Sequence, residues 1–161
     1  MSNQDKRQDT LKAVLDYFYQ DNTKSGSHSR YNLKYHLVWI TKYRRSFLVG
    51  ELAVRLRCIL ADIAREYGFN IIVQEVMPDH VHMLIEARPT DTPVMVVQIL
   101  KSKSARKMRE EFLETIQKHI WKEGTLWASG YYIASVGDGV TTEIVQEYIE
   151  NQKSEMARHT L

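Results

Sequence analysis

Hydrophobic and polar positions change period several times along this chain, and each change marks an element. Residues 31–40, Tyr-Asn-Leu-Lys-Tyr-His-Leu-Val-Trp-Ile, are rich in aromatic and β-branched side chains and alternate at first, which predicts a strand. Across 50–67, Leu52, Leu56, Ile59, Leu60 and Ile63 recur at three and four, giving a helix with one apolar face and Gly68 as its stop. Residues 69–76 read as a second strand and 80–87 as a third, with Pro78-Asp79 turning the chain between them. Thr92-Pro93 has the chemistry of a helix cap followed by the first helical position, and the helix it opens is expected from about Val94 to Phe112. A loop from Gly124 enters a fourth strand that ends near Val136, and Gly137-Asp138-Gly139 turns the chain again. A last helix is expected from Thr141 or Thr142 to roughly Met156, striped by Ile144, Val145, Tyr148, Ile149 and Gln152. The order β-α-β-β-α-β-α predicts an α+β fold of the ferredoxin-like (RRM-like) kind. That fold is one antiparallel βαββαβ sheet with helices on one face, here followed by a C-terminal tyrosine-bearing helix.

Ahead of this domain, residues 1–29 are polar apart from a short apolar stretch at 11–19, and 24–29 read as a linker. We take 1–29 as an N-terminal extension, flexible or docking on a partner, and 30–161 as the main domain. The chain has 161 residues, 43% hydrophobic and 26% charged, which fits one globular domain. No apolar run approaches the ~18 residues that span a bilayer, and no secretory signal is visible, so the expectation is a cytoplasmic protein without a membrane partner. A single cysteine, Cys58, excludes an internal disulfide and a cysteine-based zinc cluster. It is expected to be buried and inert in the first helix. Net charge is only +2, so the placement of basic residues matters more than their number.

The chemistry centres on Met77-Pro78-Asp79-His80-Val81-His82-Met83. Strand period two sends His80 and His82 to one face and Val81, Met83 and Ile85 to the other. Two adjacent imidazoles suit a metal ion or a phosphate. On the last helix Tyr148 and Gln152 sit one turn apart: a phenol able to attack a phosphodiester, and an amide oxygen able to complete a metal site. A phenol with a pKa near about 10 needs a polarised phosphate or a nearby base. Taken alone, each feature has an ordinary structural use, and imidazole suits zinc, copper, iron or nickel better than magnesium. The spacing permits the site without requiring it. Basic residues gather at the first strand's exit (Lys42, Arg44, Arg45) and along the second half of the second helix (Lys103, Arg106, Lys107). Small Ser102, Ser104 and Ala105 would let a partner approach that helix closely.

The set of motifs resembles the single-tyrosine HUH transposases of the smallest bacterial insertion sequences, the IS200-like family. Residues 76–85 are similar to their histidine motif, and 35–39 with 42–45 to their first strand and its basic exit. Residues 100–106 resemble their second-helix segment, and Tyr148-Ile149-Glu150-Asn151-Gln152 their tyrosine helix, all in family order over about 31–155. The resemblance implies that His80, His82 and Gln152 bind a divalent metal, Mg²⁺ or Mn²⁺. It implies that Tyr148 attacks a phosphate of single-stranded DNA to form a 5′-phosphotyrosine, and that no nucleotide cofactor is consumed. It also implies a homodimer in which Tyr148 of one subunit can serve its partner's histidines, and DNA with hairpin ends held by Lys42, Arg44, Arg45, Lys103, Arg106 and Lys107. Gln152 stands where repeat-associated relatives tend to carry proline, which favours the mobile-element transposase over the domesticated kind. A nucleic-acid-binding module without catalysis and a small metal-dependent hydrolase are the competing readings.

Overall fold

The structure is a computed structural model, described here for residues 24–120 and 124–137. The turns expected at 11–19 and the final helix lie outside these residues, as do Tyr148 and Gln152. The chain divides into two compact units, Met1–Asn32 and Leu33–Leu161. In the first, a two-residue ribbon pairs Lys24–Ser25 with Arg30–Tyr31, closed by Gly26 N donating to Ser29 O at 2.7 Å.

The second unit carries β1 (Leu33–Ile40), α1 (Gly50–Tyr67), β2 (Asn70–Met77), β3 (His80–Ala87), α2 (Pro93–Gln117) and β4 (Tyr132–Val136). The strands form one sheet in the order β2-β3-β1-β4, and every neighbouring pair is antiparallel. This is the split βαβ arrangement expected from the element order. Its core is continuous from the helices to one sheet face. Leu56, Ile59, Leu60 and Ile63 of α1 and Val96, Val97, Leu100 and Met108 of α2 pack with Leu37, Trp39, Val81, Met83 and Ile85. Each such large side chain contributes at most about 1.5–3 kcal/mol through burial. The alternate residues of β1 and β3, including His36, His80 and His82, therefore lie on the face away from the helices. Among the described residues no helix is long and apolar enough to cross a membrane.

Local chemistry sets the element ends. Thr92 Oγ1 accepts from Met95 N at 3.3 Å, and Pro93 opens α2 where no intrahelical donor is required. The helix runs on to Gln117, beyond the expected end at Phe112; Phe112 itself has non-helical angles (φ −126°, ψ 32°), so the expected end coincides with a kink. Gly68 ends α1 at φ 76°, its N–H reaching Ala64 O and Arg65 O. A Cβ there would stand 3.3 Å from Arg88 Nη1. Arg88 meanwhile donates to Tyr67 O and chelates Asp91 with Nε and Nη2. Gly68→Ala is thus expected to cost about 1–2 kcal/mol through left-handed strain and displacement of Arg88, measured by chemical denaturation.

One expectation is corrected. Cys58 is exposed. The buried stripe of α1 runs through Ala53, Leu56, Ile59, Leu60 and Ile63. Position 58 lies two residues beyond Leu56, about 200° around the helix and so off that stripe.

Candidate active site

His80 opens β3, directly after the two-residue turn Pro78-Asp79 that joins it to β2 in the pair Met77↔His80. The neighbouring β1 exit holds this turn. Thr41, fully buried, donates its N–H to Asp79 O at 2.9 Å and its hydroxyl lies 3.2 Å from the same oxygen; Leu48 N donates to Pro78 O at 2.9 Å. The exit is bent by two consecutive non-glycine residues at positive φ, Tyr43 (57°) and Arg44 (55°). Left-handed backbone at such residues costs free energy that surrounding contacts must offset. Here Lys42 N bonds to Leu126 O and Arg44 N to Thr41 O, both at 2.9 Å. The bend carries the Arg44 guanidinium over Asp79, with Nε donating to Oδ2 at 3.2 Å.

The two motif histidines share a face, as strand parity requires. Their ring centroids are 4.7 Å apart, and both residues are buried. Each is anchored through Nδ1. His80 Nδ1 is 2.5 Å from Asp79 Oδ1, and His82 Nδ1 is 3.3 Å from Nε2 of His36 on β1. Burial, then the neighbouring His80 and His36, push the His82 imidazole down to about 4, and burial also lowers His36. His82 is therefore neutral at pH 7, which is the form that ligates a metal.

This shift has a sign for stability. Between about pH 4 and 6.5 the unfolded chain takes up a proton at His82 that the folded chain refuses. The contribution is full above pH 6.5 and is lost as pH falls through 4. Thermal unfolding is expected to show a falling Tm across that window, with a shallower fall in His82→Asn.

The donor set fits a divalent ion in part. Asp79 and His36 meet the Nδ1 positions, so Nε2 of His80 and of His82 are the nitrogens that could ligate an ion; for His80 this is the carboxylate–histidine pattern of many metal centres. Among the described residues there is no group of three or more histidine, cysteine or acidic side chains that could hold a metal. A third protein ligand would have to come from elsewhere, and Gln152 lies outside the described residues.

The expected DNA-binding residues separate into differently engaged groups. Arg44 is tied to Asp79. On α2, Lys103 lies 3.7 Å from Glu66 of α1 and over the Tyr67 ring, and Arg106 pairs with Glu110 at 2.9 Å. Lys107 is half-buried on the same helix, and Arg45 is exposed. Lys42 lines a groove of about 850 Å³ between α2 and the 124–131 loop, together with Lys101, Ala105, Trp127 and Tyr131. Lys101 donates to Ala128 O at 2.9 Å and Gly130 O at 2.7 Å, and burial lowers its pKa. Ser104 is fully buried and accepts the Trp127 Nε1–H at 3.1 Å, so the space beside this small residue takes the chain's own loop.

Comparison with known proteins settles the family. The model of the family "Transposase IS200 like" matches residues 29–152. The chain belongs to the IS200-like transposases. It is 43% identical over 129 residues to the ISDra2 transposase TnpA of Deinococcus radiodurans, covering 80% of this chain and 90% of that protein. It is 34% identical over 132 residues to the transposase for insertion sequence element IS200 of Salmonella typhimurium, covering 82% and 84%. A crystal structure described as that of a transposase from D. radiodurans R1 superposes with a TM-score of 0.65 at 42% identity, over 80% of this chain and 97% of that one. A REP-associated tyrosine transposase bound to a REP hairpin shares the fold, with a TM-score of 0.54 at 16% identity, over 81% of this chain and 74% of that one. The chain is thus a DNA-processing transposase by family. The relatives' names do not point to His36, Asp79 or Lys101. Strand parity placed the histidine pair, whereas His36 becomes visible only once β1 is known to neighbour β3.

Proposed function

We propose that this transposase cleaves and rejoins single-stranded DNA at insertion-sequence ends through a covalent 5′-phosphotyrosine on Tyr148. The observation that supports this most is the pair His80–His82, side by side at the start of a central strand with both Nδ1 atoms anchored. His80 and His82, completed by Gln152, would hold Mg²⁺ or Mn²⁺, which supplies Lewis acidity toward the scissile phosphate. In the tyrosine step the Tyr148 Oη–P bond forms as the P–O3′ bond breaks. The phenol gives up its proton and the released 3′ oxygen takes one up. A second DNA 3′-OH reverses the exchange, so the number of phosphoester bonds is conserved and no nucleotide cofactor is needed. The working unit is a homodimer, and the DNA carries hairpin ends, as does the partner named for the REP-associated neighbour.

The test is covalent capture: labelled single-stranded ends are mixed with the protein in Mg²⁺, Mn²⁺ or chelator and run on a denaturing gel. A metal-dependent adduct supports the reading. Bound DNA without an adduct on cognate ends supports the binding-module alternative instead.

The strand path is proposed along the Lys42 groove, where an exposed aromatic, Tyr131, and apolar walls meet basic side chains. Bases stack on such aromatics while cations take phosphates. Lys42→Ala is expected to weaken single-strand binding and reduce the slope of log K against log salt by about 0.7, one phosphate contact. Arg106→Ala, already paired with Glu110, is expected to change it far less. Fluorescence anisotropy across a salt series reads both.

A further inference from the structure

We propose that His36 is a positioning residue of this site, one that holds His82 in the tautomer with its proton on Nδ1 and its Nε2 lone pair directed to an ion. The inference rests on the metal reading above. His36 stands on β1 opposite Leu84, while His82 stands opposite Val38, so the two histidines are diagonal neighbours on one sheet face. Their rings are nearly parallel, 16° apart with centroids at 5.5 Å, and meet edge to edge with His36 Nε2 3.3 Å from His82 Nδ1. The edge of Tyr132, from β4 on the other side of β1, meets the His36 ring at 6.0 Å and 73°. His36 is thus packed between its strand neighbours.

A hydrogen bond between two neutral imidazoles has one proton on the line. If His36 donates, the His82 proton resides on Nε2 and that nitrogen cannot ligate. If His82 donates, Nε2 is a bare lone pair. His80 has no such ambiguity, because an ionised Asp79 carboxylate only accepts and holds the His80 proton on Nδ1. The two ligands are therefore oriented by different partners, one a fixed acceptor and one an ambident ring. His36 must act as the acceptor for the pair to ligate through matching nitrogens.

The test uses the full chain without DNA. Long-range ¹⁵N NMR of the histidine rings reads the His82 tautomer in metal-free protein, and Mn²⁺ titration followed by electron paramagnetic resonance reads affinity. His36→Phe keeps a ring but offers no acceptor. His36→Gln restores an acceptor. The unchanged protein is expected to show His82 protonated on Nδ1. His36→Phe is expected to move that proton toward Nε2 and weaken Mn²⁺ binding by about 10–100-fold, and His36→Gln to recover most of both. If His36→Phe leaves tautomer and affinity unchanged while His82→Ala loses Mn²⁺, the inference is overturned and the metal reading stands. If the unchanged protein binds no Mn²⁺, the metal reading fails and takes the inference with it. An unfolded His36→Phe, detected from its amide spectrum, leaves His36→Gln against His36→Leu to decide the same question.

Discussion

Replacing Tyr148 with phenylalanine is expected to abolish covalent capture of single-stranded DNA while leaving binding of the hairpin ends intact. The substitution removes one oxygen atom and keeps the ring, so packing around position 148 is changed as little as chemistry allows. If that oxygen is the nucleophile, no adduct can form, and strand cleavage should fall by more than about a thousandfold, the scale on which loss of a nucleophile acts. Two other mechanisms give different results. A metal hydrolase that uses water would continue to cut in Tyr148→Phe, with no protein–DNA bond in either form. A binding module would show no cleavage in either form and equal affinity in both. The assay needs three readouts from one mixture: adduct on a denaturing gel, free cleaved product, and bound fraction by anisotropy. Mixing Tyr148→Phe with a histidine variant adds a test of assembly. If the tyrosine of one subunit serves the histidines of the other, the mixed dimer regains about a fraction of the activity that neither homodimer has.

What could be read without coordinates followed short-range rules. Gly68 stops α1 because a residue without Cβ takes φ 76° beside Arg88 at the least cost. Thr92-Pro93 starts α2 through a hydrogen bond three residues long. His80 and His82 share a face because strand parity leaves no other choice. What could not be read depends on residues far apart in the chain. His36 meets His82 across 46 positions, and no spacing within either strand announces it. The basic side chains of α2 looked free in the sequence, yet Lys103 and Arg106 already face Glu66 and Glu110. Such surface pairs add little to stability, but they compete with phosphate for the same cation. Lys101 carried no distinguishing neighbour in the sequence, and its ammonium now caps the loop carbonyls of Ala128 and Gly130. Cys58 sits amid apolar residues in sequence, yet the helical angle of about 200° from Leu56 turns it out of the buried stripe.

Replacing His80 or His82 with alanine is expected to reduce metal-dependent adduct formation by at least about 100-fold each, with hairpin binding retained. The two losses should not add. A site with one imidazole left has already lost the ion, so the double variant should resemble either single one, as expected for groups that act as a unit. The variants should differ in what they leave behind. His80→Ala strips Asp79 Oδ1 of its imidazole partner while Arg44 still donates to Oδ2. His82→Ala removes the contact between His82 Nδ1 and His36 Nε2 and also the proton uptake between about pH 4 and 6.5, so its Tm should be flatter with pH than that of His80→Ala. Loss of activity with unchanged Mn²⁺ affinity in both single variants would place the ion elsewhere and leave the histidines to act on the phosphate directly. Loss of Mn²⁺ binding in both, with DNA affinity preserved, would locate metal and chemistry at the head of β3 and separate them from the surface that holds the strand.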